Sequence, residues 1–265
     1  MVDWNEQQRL KERFYPQART DAFGHLLRAL DQHLAPSTLL LDAGCGNGTW
    51  VLERHRSRIT RWVGMDVEPP EESDLLDDFM LGDLTHIPLE DKSCDMVFCW
   101  DVMEHVLQPE AAFAEFYRVL RDEGVLIVKT PCLISPVMLA SRLSPTFVHK
   151  KLKARLLDHQ EDEVFPTVYK CNTAASLHRQ LAAVGFQREV LTRFDDSYNY
   201  FAFGRAAYVL GLFYSRALRM LPWGQQLMGQ LFGVYRKPAT APGTAGIEQV
   251  MSRSGGGRDL EGGPP

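Results

Sequence analysis

The 265-residue sequence has few cysteines, no long apolar run and no surplus of positive charge. Its five cysteines include no C-x-x-C pair, so the sequence indicates no disulfide framework and favours a reducing compartment, the cytoplasm. No uncharged apolar run approaches the ~20 residues of a membrane-spanning helix, and the charged first residues are unlike a signal peptide. The net charge of −5 argues against a nucleic-acid binder that relies on bulk charge, so no nucleic-acid partner is expected.

The glycine-rich stretch at residues 39–48 lacks two familiar nucleotide-binding motifs. A phosphate loop ends in Gly-Lys-Ser/Thr, whereas here a threonine and a tryptophan follow Gly48. A dinucleotide fingerprint reads G-x-G-x-x-G, whereas Gly44, Gly46 and Gly48 give G-x-G-x-G. Three leucines typical of a buried strand precede Asp42 and this loop, and a helix-like run follows. The order strand, glycine loop, helix presents a helix N-terminus to a nucleotide-like ligand.

Nearly continuous apolar segments alternate with helix-like segments in the first half of the chain. This alternation predicts an α/β fold in which a parallel sheet is covered on both faces. The predicted strands are residues 38–42, 62–66, 79–83, 93–100, 124–130, 186–194 and 231–237, and the main predicted helices lie within 1–36, 48–57, 111–120 and 173–184. Ligands of such sheets bind beyond the carboxyl ends of the strands. One cleft is therefore expected to collect Asp42, Asp66, Asp83 and Trp100, which fall at strand ends.

The composition along the chain predicts one domain over residues 1–237. Two segments without an obvious strand, residues 131–172 and 195–227, are expected to be insertions that cap the cleft. From about residue 238 the chain is rich in Gly, Pro, Ala and Ser, which predicts a disordered tail over 238–265.

The predicted strand ends carry side chains suited to recognising a nucleoside. A carboxylate at Asp66 can accept hydrogen bonds from both ribose hydroxyls, and this would fit NAD or an adenosyl donor equally. Asp83, which follows Gly82, can accept a hydrogen bond from an adenine amine, while Leu84 and Val67 could sandwich the ring. Three strand ends with the same chemistry favour a ligand site over three unrelated turns.

These residues lie within longer motifs, namely residues 40–48, 63–66, 82–84, 87–97, 102–106, 116–121 and 124–128. In these motifs the sequence resembles the class I S-adenosylmethionine-dependent methyltransferases. It is most similar to the small-molecule branch that includes the ubiquinone and menaquinone biosynthesis methyltransferases. The likeness covers about 38–130 and is fainter at 168–194 and 228–237. It implies a Rossmann-like, seven-stranded, mostly parallel sheet flanked by helices, with an antiparallel last strand and S-adenosyl-L-methionine as cofactor.

The resemblance also implies a role for individual residues. It implies that Gly44, Gly46 and their neighbours contact the methionine part of the donor and that Asp66 binds the ribose. It also implies that Asp83 and Leu84 bind the adenine and that the backbone around Trp100 contacts the donor's amino group. Residues 14–15 resemble the aromatic segment that often closes over the donor.

The implied reaction is an in-line displacement at a sulfonium methyl group. The leaving group is neutral, so the protein mainly has to align the reactants and exclude water. A hydroxyl acceptor also needs a base, for which His105 is the best candidate, although it could instead be a residue that fixes the loop. His149 and His159 are further candidates that fit surface positions better, and the acidic run 161–163 is interpreted as a solvated surface, so no metal is expected.

The two insertions combine basic and apolar residues. In 201–223, Arg205, Arg216 and Arg219 would fall on one side of a helix, and residues 147–157 form a second basic helix candidate. Such helices either lie in a membrane surface or pack over the cleft as an apolar lid. In both cases the partner is a small-molecule acceptor with apolar character, such as a lipid or prenyl-linked compound. Two other functions stay open: a nucleotide-dependent oxidoreductase, and a donor-binding fold without catalysis that regulates or assembles other proteins.

Overall fold

The computed structural model describes residues 2–16, 24–35, 38–71, 74–143 and 166–239. Seven strands are present in this part of the chain: β1 (Thr38–Ala43), β2 (Ile59–Asp66), β3 (Asp78–Leu81), β4 (Cys94–Trp100), β5 (Leu120–Pro131), β6 (Gln187–Phe194) and β7 (Gln230–Arg236). The helices described are α1 (Trp4–Phe14), α2 (Gly24–His33), α3 (Trp50–Glu53), α4 (Pro109–Val119), α5 (Pro136–Leu143), α6 (Ala174–Val184) and α7 (Arg205–Met220).

The strands form one sheet in the order β3-β2-β1-β4-β5-β7-β6. The first five strands pair in parallel, and β7 is antiparallel to both of its neighbours. The order changes direction between β1 and β4, which places a cleft beyond the carboxyl ends of these two strands. The predicted α/β class, with seven mostly parallel strands and a reversed last strand, is confirmed.

Strands β6 and β7 form an antiparallel pair whose connection lies at the edge of the sheet where the parallel strands have their carboxyl ends. Phe194 at the end of β6 pairs with Gln230 at the start of β7. Gln230 also pairs with Pro131, the last residue of β5. The segment 195–229 therefore leaves and rejoins the sheet at one place. This position is compatible with the predicted capping role of residues 195–227, which stays a prediction.

Apolar residues cover both faces of the sheet. Leu41 and Val97 pack on one face with α4 and α6, whereas their neighbours Leu40 and Phe98 pack on the other face with α2 and Trp62. All five side chains are buried. Because successive strand residues point to opposite faces, burial of adjacent leucines requires cover on both sides, as the continuous apolar runs predicted.

A smaller third cluster lies between α1, the turn Ser197–Phe201 and α7. Its centre includes Tyr15, Tyr198 and Tyr208, and the rings of Tyr15 and Tyr198 meet edge to face at 6.5 Å. Phe14 contacts Phe213 of α7 at a ring separation of 5.6 Å. The aromatic pair at residues 14–15 therefore packs against the second insertion, and its expected place over the donor stays a prediction.

The ends of two helices test the local predictions. The helix predicted over 173–184 is confirmed: Thr173 and Ser176 form a capping box at the start of α6, and Gly185 ends it with φ of 112°. The helix predicted over 48–57 is wrong in its length, because α3 ends at Glu53 and a 3-10 turn follows. Arg58 in that turn donates to a side-chain oxygen of Asp31, at the end of α2, at 2.8 Å and thereby ties the chain to α2.

Several predicted features lie outside the described residues: His149, His159, the basic segment 147–157, the acidic run 161–163 and residues 240–265 of the tail. None of the helices in the described ranges has the length and apolar content needed to cross a bilayer.

Candidate functional site

The loop between β1 and α3 is built on three left-handed glycines. Gly44, Gly46 and Gly48 have φ angles of 79°, 50° and 95°. A Cβ atom on Gly44 would lie 2.2 Å from Cγ2 of Val102, in the loop after β4, whereas a Cβ on Gly46 would meet nothing within 4 Å. The loop is therefore packed on one side and open on the other, which leaves room for a ligand to approach the backbone at Gly46.

Asp42 organises this loop from inside the protein. Its carboxylate accepts hydrogen bonds from Thr49 N at 3.1 Å, Thr49 Oγ1 at 2.8 Å and Trp62 Nε1 at 3.2 Å. The side chain is fully buried, and burial raises the pKa of Asp42 to about 6. The chain's own donors occupy its oxygens, so any part of Asp42 in cofactor binding acts through the shape of the glycine loop.

Asp66 joins the ends of β1 and β2. Its Oδ2 accepts the N–H of Gly46 at 2.8 Å, and its Oδ1 accepts the N–H of Val67 at 2.7 Å. The carbonyl of Asp66 accepts the N–H of Gly82 at 2.9 Å, which adds the end of β3 to the same edge. The structure thus brings three of the predicted strand ends together, while their role in binding stays a prediction.

The residues expected around an adenine lie beside Asp66. Asp83 is exposed and accepts the N–H of Thr85 at 2.7 Å. Leu84 is 7% exposed and Val67 is 52% exposed. An exposed valine directly after a strand and an exposed carboxylate give one apolar and one hydrogen-bonding surface at this edge, which suits a flat heterocycle with an amino group.

Trp100 closes the fourth strand end. Its ring is half-buried and stacks on Phe98 with 5.5 Å between ring centres and 7° between planes. Nζ of Lys129 lies 5.1 Å from the centre of the Trp100 ring. Val102, two residues further on, packs against Gly44, so the β4 end also lies at the cleft.

His105, the predicted base, lies in a turn at the rim. Its Nδ1 is 3.3 Å from the carbonyl oxygen of Pro166, and its Nε2 is 3.9 Å from Oε1 of Glu104. Its side chain is 32% exposed. The contact with Pro166 fixes the loop, which is the alternative role that the sequence left open, and the assignment of His105 as base stays a prediction.

Glu104 and Lys129 line a cavity beyond the ends of β4 and β5 and are not among the site residues that the sequence predicted. Glu104 is 5% exposed, and its Oε2 accepts a hydrogen bond from Oγ1 of Thr130 at 2.9 Å. Burial and the neighbouring Asp101 raise the pKa of Glu104 to about 7. Nζ of Lys129 pairs with Oδ2 of Asp101 at 2.5 Å. The available signal was a lysine inside the apolar run of β5, because charged residues are seldom buried without a partner or a function.

The arrangement fits an adenosyl donor better than a metal. The open side of Gly46, the carboxylates of Asp66 and Asp83 and the exposed Val67 match the amino-acid, ribose and base parts of such a ligand. Within the described ranges no group of three or more His, Cys, Asp or Glu side chains is placed to hold a metal ion.

Comparison with known proteins agrees with this geometry. One family, described as a methyltransferase domain, matches residues 41–128. A malonyl-[acyl-carrier protein] O-methyltransferase of Yersinia pestis is 34% identical over 112 residues, which are 40% of this chain and 41% of that protein. A sterol 24-C-methyltransferase of Schizosaccharomyces pombe is 28% identical over 135 residues, which are 43% of this chain and 34% of that protein. The chain thus spans less than half the length of these relatives.

Two solved structures share the fold. A candidate methyltransferase in a complex with the Haloferax volcanii Trm112 methyltransferase activator superposes with a TM-score of 0.54 at 15% identity, over 89% of this chain and 97% of the other. A candidate sarcosine dimethylglycine methyltransferase from Galdieria sulphuraria gives a TM-score of 0.53 at 16% identity, over 83% of this chain and 86% of the other. At such identities the likeness concerns the fold alone.

Proposed function

We propose, from the premise that residues 41–128 belong to the class I S-adenosylmethionine-dependent methyltransferases, that this chain is an enzyme that methylates a small molecule. The observation that carries the proposal is the hydrogen bond from Gly46 N to Asp66 at 2.8 Å beside the open face of Gly46. This hydrogen bond joins the glycine loop, which suits the amino-acid part of an adenosyl donor, to the carboxylate of Asp66, which suits its ribose.

Four strand ends would hold the donor. The Gly44–Gly48 loop offers its backbone to the amino-acid part, and Asp66 offers its carboxylate to the ribose. Asp83 and Leu84 would bind the adenine with Val67, and the backbone around Trp100 would meet the donor's amino group. When bound, the donor supplies an electrophilic methyl group on a sulfonium sulfur, and the sulfur keeps the electron pair of the broken C–S bond. The protein's own part is to align the acceptor and to exclude water.

One of the relatives supports a small, apolar acceptor, because the Schizosaccharomyces protein is named for a sterol. The Yersinia protein is named for malonyl-[acyl-carrier protein], in which the small group is carried on a protein. Apolar character of the acceptor is supported by the second insertion, whose helix α7 packs on the turn Ser197–Phe201 and carries several exposed apolar side chains.

Binding of S-adenosylhomocysteine is the first expected result. Titration calorimetry of the full chain should give heat with S-adenosylmethionine and S-adenosylhomocysteine and none with NADH, because the glycine spacing lacks the dinucleotide fingerprint. Methyl-labelled donor with a cell extract as acceptor source should then yield a labelled small molecule. Heat with NADH alone would favour an oxidoreductase, and donor binding without any transfer would favour a non-catalytic donor-binding subunit.

Peripheral contact with an anionic membrane, on the cytoplasmic side, is part of the proposal. The outward stripe of α7 consists of Ala206, Leu210, Phe213, Ala217 and Met220, at spacings of four and three residues. Leu210 is 69% exposed and Met220 is 75% exposed. Three arginines lie along one side of this stripe: Arg205, Arg216 and Arg219. Arg205 pairs with Glu6 at 3.4 Å, and Arg216 donates to the carbonyl oxygen of Phe14 at 3.2 Å. An apolar stripe with basic flanks is typical of helices that lie in a membrane surface.

Sedimentation with vesicles tests this contact. The full chain should bind vesicles that contain phosphatidylglycerol at least about 5-fold more than phosphatidylcholine vesicles, since each basic residue near an anionic surface contributes about 1 kcal/mol. The Leu210→Glu and Met220→Glu double variant should lose this binding. The control is Leu27→Glu, at a site on α2 that is 43% exposed, and it should bind as the wild type does. Equal or absent sedimentation with both vesicle types would instead favour an apolar lid over the cleft.

A further inference from the structure

A cavity lies beyond the ends of β4 and β5, next to the strand end that carries Trp100. Its volume is about 240 Å³, and its polar lining includes Asp101, Glu104, Lys129, Asp196, Tyr200 and Gln230. Asp101 directly follows Trp100, and Nζ of Lys129 lies 5.1 Å from the centre of the Trp100 ring. The cavity therefore adjoins the strand end that is expected to meet the donor.

The charges in this cavity are mostly negative. Among the described residues that line it, Lys129 is the only lysine or arginine, and it is already paired with Oδ2 of Asp101 at 2.5 Å. Two carboxylates remain, those of Glu104 and Asp196. An anionic ligand would be repelled by these carboxylates, and the described lining residues offer it no unpaired lysine or arginine. Its binding is therefore unfavourable at close range.

Two buried acceptor oxygens in the cavity have no hydrogen-bond donor. Gln230 is 4% exposed, and while its Nε2 donates to Oδ1 of Asp196 at 2.9 Å, its Oε1 has no hydrogen-bond partner. Oδ1 of Asp101 is also buried without a partner. Oε2 of Glu104 accepts a hydrogen bond from Oγ1 of Thr130, whereas Oε1 of Glu104 does not bind this hydroxyl. Buried acceptors without donors are costly, so a ligand that brings donors is favoured here.

We propose that this cavity receives the reacting group of the methyl acceptor, that this group is an amine or a hydroxyl and not a carboxylate, and that Glu104 accepts its proton. The inference rests on the proposed methyltransferase function. Its independent support is the set of acceptor oxygens at Asp101, Glu104 and Gln230 in a cavity where the described part of the chain supplies no unpaired lysine or arginine.

The proton balance is simple. The acceptor's nitrogen or oxygen forms a bond to the methyl carbon as the C–S bond breaks, and the electron pair of that bond remains on sulfur. The proton of the N–H or O–H group passes to Oε1 of Glu104. A carboxyl group that stays protonated only below neutral pH suits this role, and the pKa of Glu104, raised to about 7 by burial and by Asp101, agrees with it. His105, 3.9 Å from that oxygen and partly exposed, lies where it can pass the proton to solvent.

Three fragments of similar shape test the inference. Saturation-transfer NMR on the full chain loaded with S-adenosylhomocysteine should detect benzylamine and benzyl alcohol, and benzoate should bind at least about 10-fold more weakly than benzylamine. Glu104→Gln should weaken benzylamine binding about 10-fold, because the amide removes the charge and one acceptor. Gln230→Leu should weaken it as well, since the unpartnered oxygen is lost.

The control is Glu90→Gln, the same change at an exposed position outside the cavity, which should leave fragment binding unchanged. Calorimetry with S-adenosylhomocysteine on every variant reports whether the fold and donor site are intact. Benzoate binding as tightly as benzylamine, or no fragment binding at all, would overturn the inference while leaving the methyltransferase function in place. Failure of the wild type to bind S-adenosylhomocysteine would instead remove the proposed function, and the inference with it.

Discussion

Replacing Asp66 by alanine is expected to weaken the binding of S-adenosylhomocysteine by about 100-fold. A carboxylate that accepts hydrogen bonds from two ribose hydroxyls contributes about 3 kcal/mol, since charge-assisted bonds are each worth about 1.5–3 kcal/mol. Titration calorimetry of the wild type and the variant measures the change. The effect should be large because Asp66 sits where β1, β2 and β3 end together.

This variant also removes the acceptor of the Gly46 N–H, so the loop could be disturbed without any contact to the ribose. The 2′-deoxy analogue of S-adenosylhomocysteine separates the two causes. Wild-type protein should bind the analogue more weakly than the parent compound, whereas Asp66→Ala should bind both equally. If the variant still discriminates between the two ligands as the wild type does, Asp66 does not hold that hydroxyl. Asp83→Ala, which changes an exposed carboxylate at the neighbouring strand end, should leave the discrimination intact.

Gly44→Ala should lower both stability and donor affinity. The residue has φ of 79°, and the new Cβ would lie 2.2 Å and 2.7 Å from the two γ carbons of Val102. A left-handed alanine costs roughly 1–2 kcal/mol, and forced overpacking costs about 1–3 kcal/mol more. A loss of about 3 kcal/mol should lower the melting temperature by roughly 6–12 °C, as measured by calorimetric scanning.

Gly46→Ala is the matched comparison. This glycine is also left-handed, with φ of 50°, but a Cβ there meets nothing within 4 Å. It should cost only the backbone strain of about 1–2 kcal/mol and yet reduce donor affinity, because its methyl group would occupy the open side of the loop. Adding Val102→Ala to Gly44→Ala should recover part of the stability, since it removes both clashing carbons. Equal melting temperatures for the two glycine variants would contradict this account of the loop.

The sheet could be predicted from the sequence because its signals are local. Leu40 and Leu41 are buried on opposite faces of the sheet. A continuous apolar run of this kind is typical of a strand that is covered on both sides. The length of α3 could not be predicted in this way. Its early end is accompanied by a long-range contact, from Arg58 to α2, which no window of neighbouring residues contains.

The candidate donor site could also be predicted from the sequence, whereas the cavity proposed to receive the methyl acceptor could not. Asp66 and Asp83 stand next to strands whose parallel order alone brings their ends to one edge. The cavity instead combines Glu104, Lys129, Asp196 and Gln230, which are up to 126 positions apart in numbering, 230 − 104. Only the reversed direction of β7 places Gln230 beside the end of β5. Glu104 was overlooked beside His105 because burial, and not residue type, distinguishes the two.

The hairpin of β6 and β7 has a consequence for how this protein can diversify. Segment 195–229 lies between two paired residues, Phe194 and Gln230, at the edge of the sheet where a ligand is expected to bind. A different excursion could be spliced between these two positions without altering the register of any strand. If this segment caps the cleft as predicted, substrate preference can change through this one segment, while the residues expected to bind the methyl donor stay the same.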